Sequence, residues 1–417
     1  MKLKPYPEYK DSGVEWLGKV PNEWKVCSSK RIISAKSGVD VKSESGEIPL
    51  YGANGIIGYS DTMSQPEGAL LIGRVGSAGE LTLANEGCAV SDNALIINSI
   101  DSIERPYIFH VLKSLNLEAD ISKNAQPLIT ATTLLNKVVT IPLSQMERIG
   151  ITNFLDRETG KLDTLISKQG HLIELLQEKR QAIISHAVTK GLNPDAKMKD
   201  SGVEWLGVVP EHWEVKRLGY LTKKIGSGKT PLGGADSYST EGILFIRSQN
   251  VYDDGLRLDD VVFISEKIDS DMQVSRVLPG DILLNITGAS IGRTCLVPDN
   301  FKSANVNQHV CIIRLIDEKN SCYVSLIMKS SAIKSQIDFS QNGAGREGLN
   351  FPQIANLSLA VPPGIEQLEI MRYLSVQSTK IDTLIDKAKR SIELAKEHRT
   401  ALISAAVTGK IDVREAA

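Results

Sequence analysis

The chain carries no excess of charge, few cysteines and no long apolar run, and each shortage excludes something. Lys and Arg number 48 against 50 Asp and Glu, for a net charge of −2. Residues 27–140 hold 9 basic against 12 acidic side chains, and residues 216–360 hold 16 against 15. That balance argues against a protein that coats nucleic acid by bulk charge; any DNA binding must use local clusters or borrow cations from a partner. Five cysteines, Cys27, Cys88, Cys295, Cys311 and Cys322, show no CxxC spacing, so neither a zinc ribbon nor a disulfide framework is implied. Six histidines, His110, His171, His186, His212, His309 and His398, have no metal-ligand spacing, and each reads as a surface or helix histidine. No run approaches the roughly 18 apolar residues of a membrane span, and MKLKPYPEYKDSG has no apolar stretch of a signal peptide. A cytoplasmic protein with no membrane partner is the expectation.

Catalytic signatures are missing too. GSGKT at Gly226–Thr230 ends like a phosphate-binding loop, but Lys223 stands where that loop needs glycine, and Pro231 interrupts the helix that must follow. The nearest string to an amino-methyltransferase Asn-Pro-Pro-Tyr is Asn193-Pro194-Asp195, which has no aromatic. Pro194-Asp195-Ala196-Lys197 lacks the second carboxylate of a nuclease. A non-catalytic chain that binds no cofactor of its own is expected.

What is present is repetition. DSGVEWLGKVPNEWKV at Asp11–Val26 returns as DSGVEWLGVVPEHWEV at Asp200–Val215. A second pair, Leu162–Leu192, returns at Ile381–Ile411. Between them lie two long stretches with little resemblance to each other. The length of 417 residues suggests two to four domains, so this is a duplicated module and not a solenoid.

The repeated C-terminal segments predict helices. Leu162, Ile166, Gln169, Ile173, Leu176, Arg180, Ile183 and Ala187 alternate four and three apart, an a/d seam. Ile381, Ile385, Ala388, Ile392, Ala395, Arg399, Leu402 and Ala406 repeat it, with arginine again sixth. Leu165, Leu172 and Leu175 would widen the first apolar face. Each helix wants one partner, most economically the other copy, parallel or antiparallel. The helices start after Pro142 and after Pro362–Pro363, and Gly150, Gly160 and Gly170 allow a kink in the first. The inserts read as mixed α/β. Strand-and-turn texture falls at Ile48–Ser60, Gly68–Ala84, Asn93–Asn98, Gly242–Val251, Gly280–Val297 and Asn305–Leu315, with helices at Tyr107–Leu115 and Ser321–Phe339.

The EWLG-x-VP-x-x-W entry, the glycine-punctuated strand pairs, the loop GREGLNFPQI, the PP-x-x-EQ-like helix start and the helix ends HAVTKGL and AAVTGKI together resemble the specificity subunit of type I restriction–modification systems, the HsdS family. The resemblance covers essentially the whole chain, although IPLSQMERI has one proline and lacks EQ. It implies an α+β fold: two target-recognition domains at 1–145 and 190–362, joined by two long spacer helices at 146–189 and 363–417, the latter with a C-terminal tail. The helices would pack as a coiled-coil-like pair with pseudo-twofold symmetry. It further implies that each domain reads one half of a bipartite, asymmetric site in double-stranded DNA. Two methyltransferase subunits, and in some systems restriction/translocase subunits, would dock on the helices and carry S-adenosylmethionine, ATP and Mg. The alternative from another class is a structural adaptor that binds two proteins.

Base edges are read by paired donors and acceptors on loops stiffened by a sheet. The candidates in the first insert are Lys36, Ser37, Tyr51, Asn54, Arg74, Ser77, Ser91, Asp92 and Asn93. Those in the second are Ser227, Lys229, Thr230, Arg247, Ser248, Asn250, Asn285, Thr287, Arg293, Asn305, Asn307, Gln308, Asn342 and Arg346. The plainer reading of an Asn beside Gly is a turn former. Trp16, Trp24, Trp205 and Trp213 are shared by both copies, so packing against the frame fits them better than base stacking. Arg180 and Arg399 read as polar register pins in the helix pair.

Overall fold

The computed structural model describes residues 4–39, 46–100, 103–115, 117, 121, 128–341 and 348–415. The chain forms two compact units, residues 1–171 with 388–417, and residues 172–387. Five helices are labelled: α1 (Arg105–Ser114), α2 (Gln145–Lys190), α3 (Ser321–Met328), α4 (Ser331–Gln341) and α5 (Gly364–Val407).

The labelled strands of the first unit are β1 (Ile33–Ser37), β2 (Ile48–Gly52), β3 (Ala69–Gly73), β4 (Leu81–Ala84), β5 (Ala89–Val90) and β6 (Ala94–Ser99). An antiparallel sheet runs in the order β1-β6-β3-β4, while β2 and β5 pair in parallel in a second sheet. The run Ala-Leu-Ile-Ile of β6 is apolar throughout because this inner strand is covered on both faces. Leu95 and Ile97 join the main core, and Ala94 and Ile96 join a second cluster with Leu71, Cys88 and Val90. On α1, Tyr107, Ile108, Val111 and Leu112 form one buried stripe against that main core. The start of α2 (Ile151, Phe154, Leu155) and the end of α5 (Ile403, Ala406, Val407) complete it.

The second unit holds β7 (Thr222–Ser227), β8 (Ile243–Ile246), β9 (Ile282–Asn285), β10 (Thr294–Leu296), β11 (Ala304–Val306) and β12 (Val310–Leu315). Its antiparallel sheet runs β7-β12-β9-β10, and β8 pairs in parallel with β11. This is the strand order of the first unit. The two inserts, which look unrelated as sequence, are thus copies of one topology; insertions in the connections shift the register until no ungapped repeat survives. Its core takes Tyr323, Val324 and Ile327 of α3, Ile333 and Ile337 of α4, the end of α2 (Ile184, Ala187, Val188) and the start of α5 (Ile370, Leu374).

In both units the two long helices run antiparallel. In the second, the end of α2 meets the start of α5 in the core, while Leu176 packs with Ile381 and Ile385 further along. Both seam arginines are paired there and in the first unit: Arg180 with Asp382, and Arg399 with Asp163 at 2.5 Å. The a/d positions are buried or half-buried along both helices. Two expectations change. Leu165, Leu172 and Leu175 stay 38, 41 and 47 % exposed instead of joining the seam. And α2 is unbroken through Gly150, Gly160 and Gly170, because backbone hydrogen bonds along 46 residues outweigh a cost of roughly 0.5–1 kcal/mol per glycine.

The entry motif is a latch for helix ends. Trp24 and Trp213 are buried, and their indole N–H groups donate to Glu147 (3.1 Å) and Glu366 (3.0 Å) in the first turns of α2 and α5. Lys190 at the end of α2 donates to the carbonyls of Leu206 and Val208, and Lys410 beyond α5 to those of Leu17 and Lys19. Trp205 packs against Phe339 with the rings tilted by 47° and their centroids 5.4 Å apart, whereas Trp16 is 48 % exposed.

Candidate nucleic-acid interface

The sheet order gathers most of the candidates at one end of each main sheet. In the first unit Lys36 and Ser37 close β1, Tyr51 lies at the end of β2, Arg74 and Ser77 follow β3, and Asn93 precedes β6. Arg74 Nη1 donates to Ser37 Oγ (3.3 Å), the Arg74 amide to the Asn93 carbonyl (2.8 Å), and the Ser91 amide to the Tyr51 carbonyl (2.9 Å). A Cβ on Gly73 would lie 2.3 Å from the Ala53 carbonyl oxygen, which brings the turn carrying Asn54 to the same place.

In the second unit Ser227 closes β7, and Lys229 and Thr230 follow it into a loop with no helix at that point; GSGKT is a strand end and no phosphate loop. Asn307 and Gln308 lie in the turn before β12. Thr230 Oγ1 donates to Gln308 Oε1 (2.5 Å), Gln308 Nε2 lies 3.0 Å from His309 Nε2, and His309 Nδ1 meets Thr287 Oγ1. Arg293 sits in the β9–β10 turn with its guanidinium 4.8 Å from the Tyr252 ring, which Arg257 covers at 3.7 Å. Arg247 follows β8 and is tied to Asp260.

Five candidates are placed inside the fold: Ser91 and Asn307 are 4 and 8 % exposed, Asn307 accepting from the His309 amide (3.1 Å), and three further asparagines are buried with them. Asn250, 2 % exposed, donates to the carbonyls of Arg257 and Asp260 and accepts from the Arg247 amide. Asn285 is fully buried and donates to the Ser248 carbonyl. Asn305, also buried, is held between Asp269 (2.6 Å) and Ser275 (2.6 Å). These amides hold loops together and cannot reach a base edge. Arg346 and Asn342 lie outside the described residues. His309, dismissed on metal spacing alone, stands in the middle of the polar chain; its signal was its place in NQHV, just ahead of an inner strand.

The two sheet ends share a backbone. The amides of Arg74 and Ile286 donate to the carbonyls of Asn93 and His309 (2.8 and 3.0 Å), and the amides of Ile129 and Leu349 to those of Arg74 and Ile286 (3.1 and 2.9 Å). The turns close alike, the amides of Ala94 and Val310 donating to the carbonyls of Ser91 and Asn307 (3.2 and 3.3 Å), and each is tied to the parallel strand in the same way, the amides of Ser91 and Asn307 donating to the carbonyls of Tyr51 and Ile246 (2.9 and 3.1 Å). Gly38 and Gly228 are equivalent, each with no room for a Cβ beside the carbonyls of Val90 and Ser91 or Val306 and Asn307. The side chains on this common backbone differ in kind: Asp92 against Gln308, Asn93 against His309, Arg74 against Ile286, and Glu80 against Arg293. Burial pushes the thiols of Cys295 and Cys311 up to about 12, so both pack as apolar groups. Among the described residues no group of His, Cys, Asp and Glu could hold a metal ion, and no helix is long and apolar enough to cross a membrane.

A duplicated scaffold that presents two chemically unlike surfaces on one backbone defines a recognition protein. The family model for the type I restriction modification DNA specificity domain matches residues 22–168 and 210–394, and the chain belongs to that family. It is 23 % identical over 434 residues to a putative type I restriction enzyme MjaX specificity subunit of Methanocaldococcus jannaschii, covering 95 % of this chain and 96 % of the relative. Identity to the type I restriction enzyme EcoprrI specificity subunit of Escherichia coli is 31 % over 173 residues, 40 % of this chain and 42 % of the relative. The fold resembles a chain solved in a study of complex assembly and conformational transition of the type I R-M system, with a TM-score of 0.68, 14 % identity, and coverage of 94 % and 99 %.

Proposed function

We propose that each unit reads one half of a bipartite, asymmetric DNA site, through the sheet end where its polar loops converge. The observation that carries this is the shared backbone with unlike side chains: the frame is kept while the hydrogen-bonding groups change, as two different half-sites require. The helices then set the number of unread base pairs. At 1.5 Å per residue, the 46 residues of α2 rise about 69 Å, enough to span the roughly 34–36 Å of one DNA turn. The leucines left exposed on α2 offer apolar surface to partner subunits. Two methyltransferase subunits docked there, with restriction/translocase subunits in addition, would bring S-adenosylmethionine, ATP and Mg, and would supply the cations this near-neutral chain lacks. The chain itself contributes recognition and no chemistry, and the cytoplasm is where such a complex meets its DNA.

Replacing residues 27–140 with the matching segment of another specificity subunit tests this. Methylome sequencing of a host carrying the hybrid should show one altered half-site and one retained. A change in both halves, or in neither, refutes the reading.

A further inference from the structure

We propose that the turn leading into the inner strand of each sheet, Asp92-Asn93 in the first unit and Gln308-His309 in the second, is the base-reading element, and that Gln308 recognises adenine. This rests on the reading of each unit as a half-site reader. Of the matched positions, these turn residues combine exposure with a complete change of hydrogen-bonding type. Asp92, Asn93 and Gln308 are all exposed, and the carbonyls of Asn93 and His309 accept matching backbone hydrogen bonds from the amides of Arg74 and Ile286. A surface kept only for solubility gives no reason to hold the backbone so tightly and exchange the chemistry.

The polar chain fixes what Gln308 can offer. Thr230 donates to Oε1, and Nε2 donates to His309 Nε2, so the neutral imidazole carries its proton on Nδ1, toward Thr287 Oγ1. One N–H and one lone pair of the amide remain. An adenine in the major groove presents the complement, an acceptor at N7 and a donor at N6. Thr230, His309 and Thr287 are positioning residues: they hold the amide plane and choose which end faces which way. In the first unit Asp92 has no hydrogen-bond partner among the described residues, and a carboxylate only accepts, which suits the N4 amino group of cytosine. The two turns therefore ask for different bases, in keeping with an asymmetric site.

The test uses the chain assembled with its methyltransferase subunits, in competition binding against duplexes randomised through both half-sites. In the wild-type complex, one position of one half-site should be adenine. Gln308→Ala should lower discrimination there by about tenfold or more, in line with the loss of a bidentate contact. Gln308→Glu, which keeps the shape and loses the donor, should move the preference toward cytosine. Thr230→Ala should weaken discrimination at that same position only, and Asp92→Ala should act only on the other half-site. A uniform drop in affinity with all base preferences intact would overturn the proposal, as would Gln308→Glu leaving the adenine preference unchanged. A wild-type complex with no two-part preference would sink the half-site reading itself, and this inference with it.

Discussion

Gly228 is the place where the frame and the reading surface touch most closely, so Gly228→Ala is a direct test of how the turn is held. A Cβ built there lies 1.6 Å from the Val306 carbonyl oxygen, 2.5 Å from its carbon and 3.1 Å from the Asn307 oxygen. Ordinary carbon–oxygen contacts need more than 3 Å, so the backbone of β11 and the turn must retreat by over an ångström. Overpacking of that kind costs about 1–3 kcal/mol. For a domain of this size each kcal/mol lowers Tm by about 2–4 °C, so a fall of roughly 2–12 °C is expected. Gly226, two residues earlier on β7, is the matched control: its Cβ would come no nearer than 4.0 Å to Lys224. Gly226→Ala should be neutral or gain a few tenths of a kcal/mol, because it restricts the unfolded chain. Calorimetry gives the stabilities, and competition binding of the assembled complex should show Gly228→Ala blurring one half-site and sparing the other. Two glycine variants that behave alike would refute the close approach as the device that holds the turn.

Other parts of the second unit and the first carry predictions of their own. Asp281 is fully buried and is held by Arg314 through two bonds of 2.6 and 2.8 Å. Arg314→Ala strands that carboxylate and should cost roughly 3–5 kcal/mol in urea unfolding, with Arg314→Met plus Asp281→Asn recovering much of it; a single-variant loss under about 1 kcal/mol would contradict the burial argument. His110 is buried against Asp156 (2.7 Å), and desolvation lowers its pKa below the usual 6.5 despite that carboxylate. The unfolded chain therefore takes up the proton first. Stability from the neutral ring is complete above about pH 6.5 and is lost as pH falls through the folded-state value. Denaturant midpoints should decline from pH 7 to 5, and His110→Gln should flatten that slope; an unchanged slope assigns the pH dependence elsewhere.

The long helices were legible because a 3.5-residue seam is a one-dimensional signal, and both arginines in it proved to be pins. The inner strands were legible as short apolar runs between glycines. What the sequence hid was equivalence. Asn93 and His309 occupy one position, as do Glu80 and Arg293, but a match made of backbone hydrogen bonds leaves no trace in residue identity. Burial was hidden for the same reason: Asn250 and Asn285 look like free loop amides until the strands that enclose them are in place. Leu165, Leu172 and Leu175 lie near the seam yet outside it, and a stripe of apolar residues alone does not say whether the protein's own core or a partner covers it.

The repeat in the sequence and the unit in the structure are not the same object, and the difference follows from the latches. The first sequence repeat ends with α2, yet the first unit takes only the start of that helix and fills the rest of its core from Ile403, Ala406, Val407 and Val413. Lys410 and the Tyr9 hydroxyl, which donates to the Gly409 carbonyl (2.9 Å), fix this last segment to the entry motif. The second unit closes on the end of α2 through Lys190. Antiparallel helices make this possible, since the end of each helix then lies beside the start of the other. Duplication therefore produced a frame in which each recognition unit depends on both copies. The identical residues cluster where a helix end must be gripped, while the inserts between them change along their whole length and keep only the strand order.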